Sequence, residues 1–468
     1  MTDDLPSTIA DAAAALRAGK LTSVALTAEL LARADALDAT LGTYVARFDD
    51  TALVAAAQAD ADFAAGVDRG PLQGIPIGVK DIIAAREAAT TACSQVIDPD
   101  WHRGLDAPVV ARLRSQGAVI TGKTATMEFA MGAPDANGPF PIHRNPWDLE
   151  RWPGGSSAGT GTGVAAGLIL GGLGSDTGGS VRIPAALCGI SGLKPSFGLV
   201  PKSGVVPLGY SLDTVGPMAR SARDCALILQ AIAGASADDP TSVDRPVPDY
   251  AAALTGNASG VRVGVERDHH TRLEGFDAAC RERFEDAVRA LERAGAEIVE
   301  VHFDAYPIIT AAALVTSAGE SFAYHHNNLQ ERFGDYGRAA RTSLSMGAFY
   351  SSADYVQAQR VRAWGLATLR RVLGDCDVIV TPTIGVPAPR LTDNFWAMMQ
   401  WTYTPAWNHL GTPAMSVPMG PIAGGLPSGL QLIGDRFDDA TVLRVADAYQ
   451  HVTDWHTRVP DLATTVVG

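Results

Sequence analysis

The order of hydrophobic and polar positions divides the chain into a helical start and a longer part made of strands and helices. In residues 7–65, apolar residues such as Leu26, Leu30, Ala34 and Leu37 recur every three or four positions, the spacing of one face of an α-helix. Residues 75–83 instead form an apolar run after a Pro/Gly turn, which is typical of a buried strand. The pattern therefore predicts helices first and a buried sheet afterwards.

Strand and helix patterns alternate in the later part of the chain. Residues 108–122 have the pattern of a helix followed by a strand, and residues 261–302 that of a strand, a helix and a strand. Because parallel strands need a crossover, this alternation predicts an α/β fold in which helices cover both faces of the sheet. We divide the chain into an N-terminal helical segment packed on the core, residues 1–65, and one continuous α/β body, residues 66–468.

The stretch from Trp152 to Ser196 breaks both patterns. It is dense in glycine, serine and threonine, yet apolar residues occur throughout it. A glycine inside a helix or strand costs about 0.5–1 kcal/mol relative to alanine, so glycines among buried residues indicate a backbone that approaches another group closely or adopts unusual angles. Two serines beside such glycines, Ser156 and Ser180, are the first candidates for a nucleophile with amide donors nearby.

Composition narrows the class of protein. The 468 residues carry a formal net charge of −14 at pH 7, which argues against non-specific binding to nucleic acid. The five cysteines show no CxxC or CxxH spacing, so we expect reduced thiols in the cytoplasm and neither a disulfide framework nor a metal site. No apolar run reaches the ~18 residues that span a membrane. We therefore expect a cytoplasmic protein that binds no metal, membrane or nucleic acid.

Two features near the serines indicate catalysis. Ser180 follows two glycines, an arrangement that lets several backbone N–H groups point to one spot and bind an oxyanion. Lys80 stands among isoleucines and valines, where burial would lower its pKa enough for the amine to act as a base. The residues alone leave two alternatives open: a simple turn around Ser180, and a buried lysine stem whose ammonium pairs with Asp81.

Three segments of the chain, two of which contain these residues, resemble the defining motifs of the amidase signature family. They are GIPIGVKDII at 74–83, the glycine-rich stretch at 154–196, and GLPSGLQLIGDRFDDATVLRVADAY at 425–449. The similarity extends from about residue 20 to residue 450 and implies the family's fold, a single large mixed, twisted sheet. The resemblance also implies a Ser–cis-Ser–Lys triad that needs no cofactor. Its members would be the nucleophile Ser180, the bridging Ser156 with a cis peptide bond before it, the base Lys80, and an oxyanion hole of the Thr177, Gly178 and Gly179 amides.

The resemblance implies an amidase, and our main hypothesis is hydrolysis of a small hydrophobic or aryl amide through an acyl-enzyme on Ser180. The expected partners are that substrate and, at most, a second copy of the chain. An inactive binding protein on the same fold is a further hypothesis, which the intact catalytic residues disfavour. The predicted substrate pocket is aromatic and apolar, and consists of Met131, Phe395, Trp396, Trp401 and Trp407.

One branch of the family provides the alternative function. The A subunit of glutamyl-tRNA amidotransferase hydrolyses glutamine to supply ammonia to a transamidase, and it holds the glutamine head with charged groups. Its acidic position falls at Trp401 in this chain, and its arginine position falls at or near Thr342 or Ser343, with Arg341 close by. A tryptophan cannot bind an ammonium as a carboxylate does, so we favour the hydrophobic amide.

Overall fold

The predicted strands join into one mixed sheet in the computed structural model, which describes residues 5–135 and 138–465. Within these residues the strands are β1 (Tyr44–Arg47), β2 (Pro76–Lys80), β3 (Val119–Thr124), β4 (Gly171–Asp176), β5 (Ser191–Lys194), β6 (Thr214–Ala219), β7 (Arg262–Glu266), β8 (Glu297–Val301), β9 (Val378–Pro382), β10 (Ala414–Pro421) and β11 (Pro427–Ile433). Their order across the sheet is β1-β3-β2-β4-β6-β5-β10-β11-β9-β7-β8.

Helices cover both faces of this sheet. Among the described residues they are α1 (Ile9–Arg17), α2 (Ser23–Leu41), α3 (Asp49–Ala64), α4 (Pro108–Ser115), α5 (Ala158–Ala165), α6 (Arg182–Cys188), α7 (Ala222–Ile232), α8 (Ala278–Arg293), α9 (Tyr306–Glu331), α10 (Arg338–Ser345), α11 (Ser352–Val372), α12 (Phe395–Met399), α13 (Pro405–Leu410), α14 (Asp439–His451) and α15 (Asp461–Thr465). None of these helices, over the ranges just given, is long and apolar enough to cross a membrane.

Both predicted crossover units are present. Strand β2 pairs in parallel with β3, with α4 between them in sequence, and β7 pairs in parallel with β8, with α8 between them. In the middle of the sheet, β4, β6, β5, β10 and β11 pair antiparallel with their neighbours in that order. The prediction of an α/β fold built on one large mixed sheet is therefore confirmed.

The N-terminal region differs from the helical prediction because it also contributes a strand. Gly42 ends α2 in the left-handed conformation, with φ 65°, and the chain continues into β1, which pairs antiparallel with β3 at the sheet edge. The Asp38 carboxylate accepts hydrogen bonds from the N–H groups of Thr43 and Tyr44 there, at 2.7 and 3.1 Å. The helical periodicity on either side conceals this short strand. The division of the chain after residue 65 stays a prediction.

The glycine-rich stretch forms α5, β4 and α6, and nearly all of it is buried. Gly159 in α5 shows why glycine is needed, because a Cβ there would lie 2.3 Å from the Thr43 carbonyl oxygen and 2.4 Å from the Ala125 nitrogen. Helix α5 therefore lies directly against the backbone that follows β3. Ser156 precedes α5 and Ser180 precedes α6, so these tightly packed elements fix the separation of the two serines.

Candidate active site

Lys80 is the last residue of β2, and its side chain is completely buried. Its Nζ donates hydrogen bonds to Ser156 Oγ at 2.7 Å and to Ser175 Oγ at 2.9 Å. The alternative ion pair with Asp81 is not formed, since that carboxylate lies 3.3 Å from Lys123 Nζ instead. The buried strand thus directs its lysine toward two serines of the glycine-rich stretch.

The surroundings of Lys80 lower the pKa of its amine. Burial lowers the pKa of Lys80 to about 7, although the negative charges of Asp176 and Asp213 oppose this change. An exposed lysine has a pKa of about 10.4, so Lys80 loses its proton far more readily than an ordinary lysine. A neutral amine that is hydrogen-bonded to a serine hydroxyl can accept the hydroxyl proton.

Ser156 and Ser180 line one cavity but differ in their access to it. The peptide bond between Gly155 and Ser156 is cis, as the resemblance implies, and Ser156 is 2% exposed. Ser180 is half-buried and open to the cavity. Over the described ranges, no hydrogen bond joins the two Oγ atoms, whereas the Ser180 carbonyl oxygen accepts one from Ser157 N at 3.1 Å. A ligand in the cavity therefore reaches Ser180 directly, while Ser156 contacts the buried amine of Lys80.

Residues 177–180, here called the oxyanion turn, lie between β4 and α6. The N–H groups of Thr177 and Gly178 have no hydrogen-bond acceptor in the described part of the chain, so both are free to bind an oxyanion. The Gly179 N–H donates to Asp176 Oδ1 at 2.7 Å, so this predicted donor is already engaged. Gly179 has a φ of 131°, and a Cβ there would lie 2.2 Å from Thr404 Oγ1. The turn thus offers two of the three predicted amides and requires glycine at its third residue.

A buried ion pair supports the oxyanion turn. Arg182 Nη2 donates to Asp176 Oδ1 at 2.9 Å, and neither side chain is reached by solvent. Burial on its own would raise the pKa of Asp176, but Arg182 and a hydrogen bond from Asn408 outweigh it and hold that pKa well below the usual range. Because Asp176 also accepts the Gly179 N–H, the ion pair helps to fix the shape of the turn. Sequence reasoning missed Arg182 and Asn408, which carry no motif beyond the general resemblance.

The cavity over Ser180 has a volume of about 250 Å³ and a mostly apolar wall. Met131, Phe395 and Trp396 line this cavity, and their part in substrate binding stays a prediction. The aromatic segment after residue 384 folds in part into α12 and α13, and the two aromatic residues at the start of α12 line the cavity.

The structure does not bring the other two predicted pocket residues to the cavity wall. Trp401 follows α12 and packs edge-on against Phe276, with ring centroids 6.4 Å apart. Trp407 lies within α13, is 1% exposed, and stacks against Phe303 in the core. Both tryptophans therefore pack against other aromatic rings and do not line the cavity over Ser180.

Other cavity residues come from helices that carry no motif. Helical spacing of apolar residues is the same for a core face and for a cavity wall, so no sequence signal distinguishes these positions. On α9, on α10 and just after it, the lining residues are Ala313, Leu314, Ser317, Ala318, Ser343, Met346 and Tyr350.

No charged side chain lines the cavity within the described ranges. The guanidinium of Arg341 lies over the Phe333 ring, 5.2 Å from its centroid, and not over Ser180. Ser343 lines the cavity, but its Oγ donates to the Ala339 carbonyl oxygen at 2.8 Å. Among residues 5–135 and 138–465 there is also no group of three or more His, Cys, Asp or Glu side chains that could bind a metal ion. The cavity thus matches a neutral, apolar ligand.

Comparison with known proteins gives full-length matches. The sequence matches the family model named Amidase over residues 25–443. It is 42% identical to the A subunit of glutamyl-tRNA(Gln) amidotransferase from Roseiflexus sp. (strain RS-1), over 97% of this chain and 98% of that protein. Among solved structures, one chain of a vestigial protein complex that bears on the origins of an s-triazine catabolic enzyme superposes with a TM-score of 0.87 and 29% identity, over 95% and 98% of the two chains. The peptide amidase of Stenotrophomonas maltophilia superposes with a TM-score of 0.83 and 32% identity, over 95% and 96%.

These relatives change two of the sequence-based expectations. Their names fit the amidotransferase component better than a hydrolase of small hydrophobic amides. The second expectation concerned the partners: a small amide, at most a second copy of the chain, and no nucleic acid or membrane. This expectation is wrong. The relative from Roseiflexus is named as one subunit of an amidotransferase, and the first solved structure is a protein complex. The matched family, the shared fold and the placement of the motifs agree: the chain belongs to the amidase signature family.

Proposed function

We propose that the protein hydrolyses the C–N bond of a hydrophobic amide through an acyl-enzyme on Ser180. The single observation that carries the proposal is the apolar cavity that opens on Ser180 and contains no charged side chain among the described residues. The family match supports hydrolysis of an amide bond, and the cavity supports the choice of substrate.

The contacts of Lys80 support the first step. Neutral Lys80 takes the proton of Ser156 across their 2.7 Å hydrogen bond, and Ser156 takes the proton of Ser180. Ser180 Oγ then forms a bond to the amide carbon, whose carbonyl oxygen becomes an oxyanion. The free N–H groups of Thr177 and Gly178 stabilise that oxyanion.

The same groups complete the reaction in reverse. As the C–N bond breaks, the proton held by Lys80 returns through Ser156 to the leaving nitrogen, which departs as a neutral amine or ammonia. Water next gives its proton to the Ser156–Lys80 pair and attacks the acyl carbon, and Ser180 regains its proton when the acid is released. The protein supplies both the base and the acid from one lysine, whose pKa of about 7 suits both roles.

The cavity wall supports an apolar substrate, because no charged side chain among its described residues could pair with a charged group of the substrate. Each methylene group moved from water into such a cavity contributes about 0.8 kcal/mol. A charged group without a buried partner is instead strongly disfavoured there. Aryl and branched alkyl groups of a size that 250 Å³ can hold are therefore the expected substrate moieties.

Glutamine hydrolysis, as in the A component of the amidotransferase, is the second candidate function. It is favoured by the 42% identity to a protein of that name over nearly the whole of both chains. A glutamine head carries both an ammonium and a carboxylate. The structure supports this candidate less well, since the cavity offers neither of them an opposite charge within the described residues.

A comparison of aryl amides with glutamine as substrates tests the proposal. Ammonia release from phenylacetamide, benzamide and glutamine is measured on one preparation, so that the ratio of kcat/KM values does not depend on how active the preparation is. We expect a preference of at least about 100-fold for the aryl amides, since burying unpaired charges is costly. A preference for glutamine would reject the hydrophobic substrate and support the second candidate.

A further inference from the structure

Asp213 is a buried carboxylate that contacts the oxyanion turn from a different loop. Its Oδ1 accepts a hydrogen bond from Thr177 Oγ1 at 2.5 Å, and both side chains are less than 10% exposed. The N–H groups of Leu208 and Gly209 also donate to this carboxylate, at 2.9 and 3.0 Å. Three donors thus converge on one acidic side chain that no step of the mechanism uses.

We propose that Asp213 is a positioning residue that holds the Thr177 N–H in the oxyanion hole. The proposal rests on Ser180 being the nucleophile, and extends it to the group that sets the geometry of the oxyanion hole. Thr177 carries the first free amide of the turn. The peptide that bears this amide is held at its other end, where the Asp176 carbonyl oxygen accepts hydrogen bonds from Asn408 Nδ2 at 3.0 Å and Thr214 Oγ1 at 3.2 Å. Asp213 adds a restraint on the Thr177 side, through the hydroxyl. An oxyanion hole is effective only when its donors are aimed in advance.

The two glycines that follow Thr177 in the oxyanion turn have their own tethers. The Gly178 carbonyl oxygen accepts from Thr404 Oγ1 at 2.6 Å, and the Gly179 N–H donates to Asp176 at 2.7 Å. Neither of these bonds acts on Thr177. The Asp213 carboxylate is therefore the group that fixes the side chain of the first residue.

Lys202 partly balances the charge of Asp213. Burial raises the pKa of Asp213, while Lys202 and the three hydrogen bonds oppose this change. Lys202 lies with Asp213 and Thr177 along a second cavity of about 280 Å³, and its Nζ sits 4.5 Å from the centre of the Tyr210 ring. A carboxylate that accepts three donors and faces a lysine can stay ionised beside the oxyanion turn.

The loop formed by residues 208–213, here called the Asp213 loop, is also connected to the substrate cavity. Leu208, whose N–H binds Asp213, lines the cavity over Ser180. Farther along the loop, Ser211 donates from N and Oγ to Glu320 of α9, at 2.8 and 2.6 Å. The loop therefore links a wall of the substrate cavity to the oxyanion turn, and Asp213 is the residue at which the two meet.

Four single variants of the full chain test this assignment. Thr177→Val removes the hydroxyl but keeps the shape, and we expect kcat to fall at least tenfold with little change in KM, somewhat less than the ~100-fold or larger loss of an oxyanion donor. Thr177→Ser keeps the hydroxyl and should restore kcat to within about twofold of the parent. Asp213→Asn should lower kcat as Thr177→Val does. Asp239→Asn is the matched control. Asp239 is a buried carboxylate on the same second cavity, and it accepts hydrogen bonds from Lys202 N and Thr241 N but does not contact the oxyanion turn.

The double variant and the pH profile separate positioning from electrostatics. If Asp213 acts through Thr177, Thr177→Val combined with Asp213→Asn is no slower than the slower single variant. The groups whose charge acts on Lys80 are Asp176, Asp213 and the Cys93 thiol. Asp213→Asn removes a negative charge that raises the pKa of Lys80. The acid limb of the pH–rate profile should therefore move to lower pH in Asp213→Asn, whereas it should not move in Thr177→Val.

Each result has a defined reading. A Thr177→Val enzyme with parental kcat overturns the assignment, as does an equal loss of kcat in Asp239→Asn. Loss in Asp213→Asn without loss in Thr177→Val overturns it too, because Asp213 would then act on Lys80 alone. Labelling of each variant by a fluorophosphonate, read as an adduct on Ser180, keeps this question apart from the proposed function: absence of the adduct in the parent protein rejects the nucleophile itself.

Discussion

Lys80 Nζ lies 2.7 Å from Ser156 Oγ, and no part of the lysine is reached by solvent. A charged ammonium in that position would have to be held without water, and the two serine hydroxyls that accept its hydrogen bonds carry no charge to balance it. The contact therefore favours the neutral amine, the form that can take a proton from serine.

The first prediction concerns the pH dependence of catalysis. Since the pKa of Lys80 is lowered to about 7, the base is protonated below that pH and free above it. We expect kcat/KM to rise as the pH increases through about 7 and then to level off. Lys80→Met should lower the rate by about 100-fold or more, as for loss of a general base. A pH–rate profile from pH 5 to 9 on an aryl amide measures both effects.

Lys194 provides the matched control for that profile. It is also completely buried, and burial likewise lowers its pKa to about 7, but it donates to the Pro195 carbonyl oxygen and contacts no serine of the triad. Lys194→Met should keep the acid limb near pH 7. If the limb disappears in that variant and persists in Lys80→Met, the base has been assigned to the wrong lysine.

The second prediction assigns the nucleophile. Ser180 is the serine of the triad that is open to the cavity, so Ser180→Ala should abolish turnover and labelling by a fluorophosphonate while leaving thermal unfolding unchanged. Mass spectrometry of the labelled parent protein locates the adduct. Ser115, an exposed serine at the end of α4, serves as the control, and Ser115→Ala should retain both activity and label. Parental turnover in Ser180→Ala would rule out this mechanism.

The fold and the buried position of Lys80 could be predicted because local patterns encode them. A continuous apolar run around Lys80 identifies a buried strand, and alternation of strands and helices requires parallel crossovers. The short strand after Gly42 could not be predicted, because four residues between long helices are too few to show a period. The predicted positions of Ser156 and Ser180 depended on the family resemblance, since glycine and serine alone also predict an ordinary turn.

The substrate cavity could not be predicted to the same extent. Trp401 and Trp407 are aromatic residues of the kind found in binding sites, but they pack against Phe276 and Phe303, because aromatic residues occur in cores and cavities alike. Asp213 was missed for another reason: it lies 36 positions from Thr177, and only the fold brings them together. Long-range hydrogen bonds of this kind have no periodic signature in a single sequence.

The third prediction compares two tryptophans. Trp396 lines the substrate cavity and is 52% exposed, so Trp396→Ala should raise KM for aryl amides about tenfold by removing apolar contact area. Trp401, five residues later, packs against Phe276 away from the cavity. Trp401→Ala should leave KM within about twofold of the parent, and its effect should appear in thermal stability. Equal changes of KM in the two variants would contradict the placement of the cavity wall.

The fourth prediction compares two glycines of the oxyanion turn. Ala at 179 would place a Cβ 2.2 Å from Thr404 Oγ1 at a φ of 131°, whereas a Cβ at 178 meets nothing within 4 Å. Gly179→Ala should therefore lower the midpoint of thermal unfolding, and Gly178→Ala should not. Scanning calorimetry of both variants measures this difference. A stable Gly179→Ala protein would show that the turn can adopt another conformation.

The fifth prediction concerns the ion pair between Asp176 and Arg182. Arg182→Met would leave Asp176 buried without its cation, which costs about 3–5 kcal/mol of the free energy of unfolding. The pKa of Asp176 is held low in the folded protein, so the pair contributes stability above the pKa of an unfolded aspartate, about 3.9, and loses it as the pH falls below that value. The parent and the variant should therefore differ most near pH 7 and converge in acid, as measured by urea unfolding at several pH values.

Arg103→Met, which breaks an exposed pair with Asp100 at 3.1 Å, should have no measurable effect at any pH. A deficit in Arg182→Met that does not change with pH would mean that the arginine stabilises the turn by packing and not by its charge.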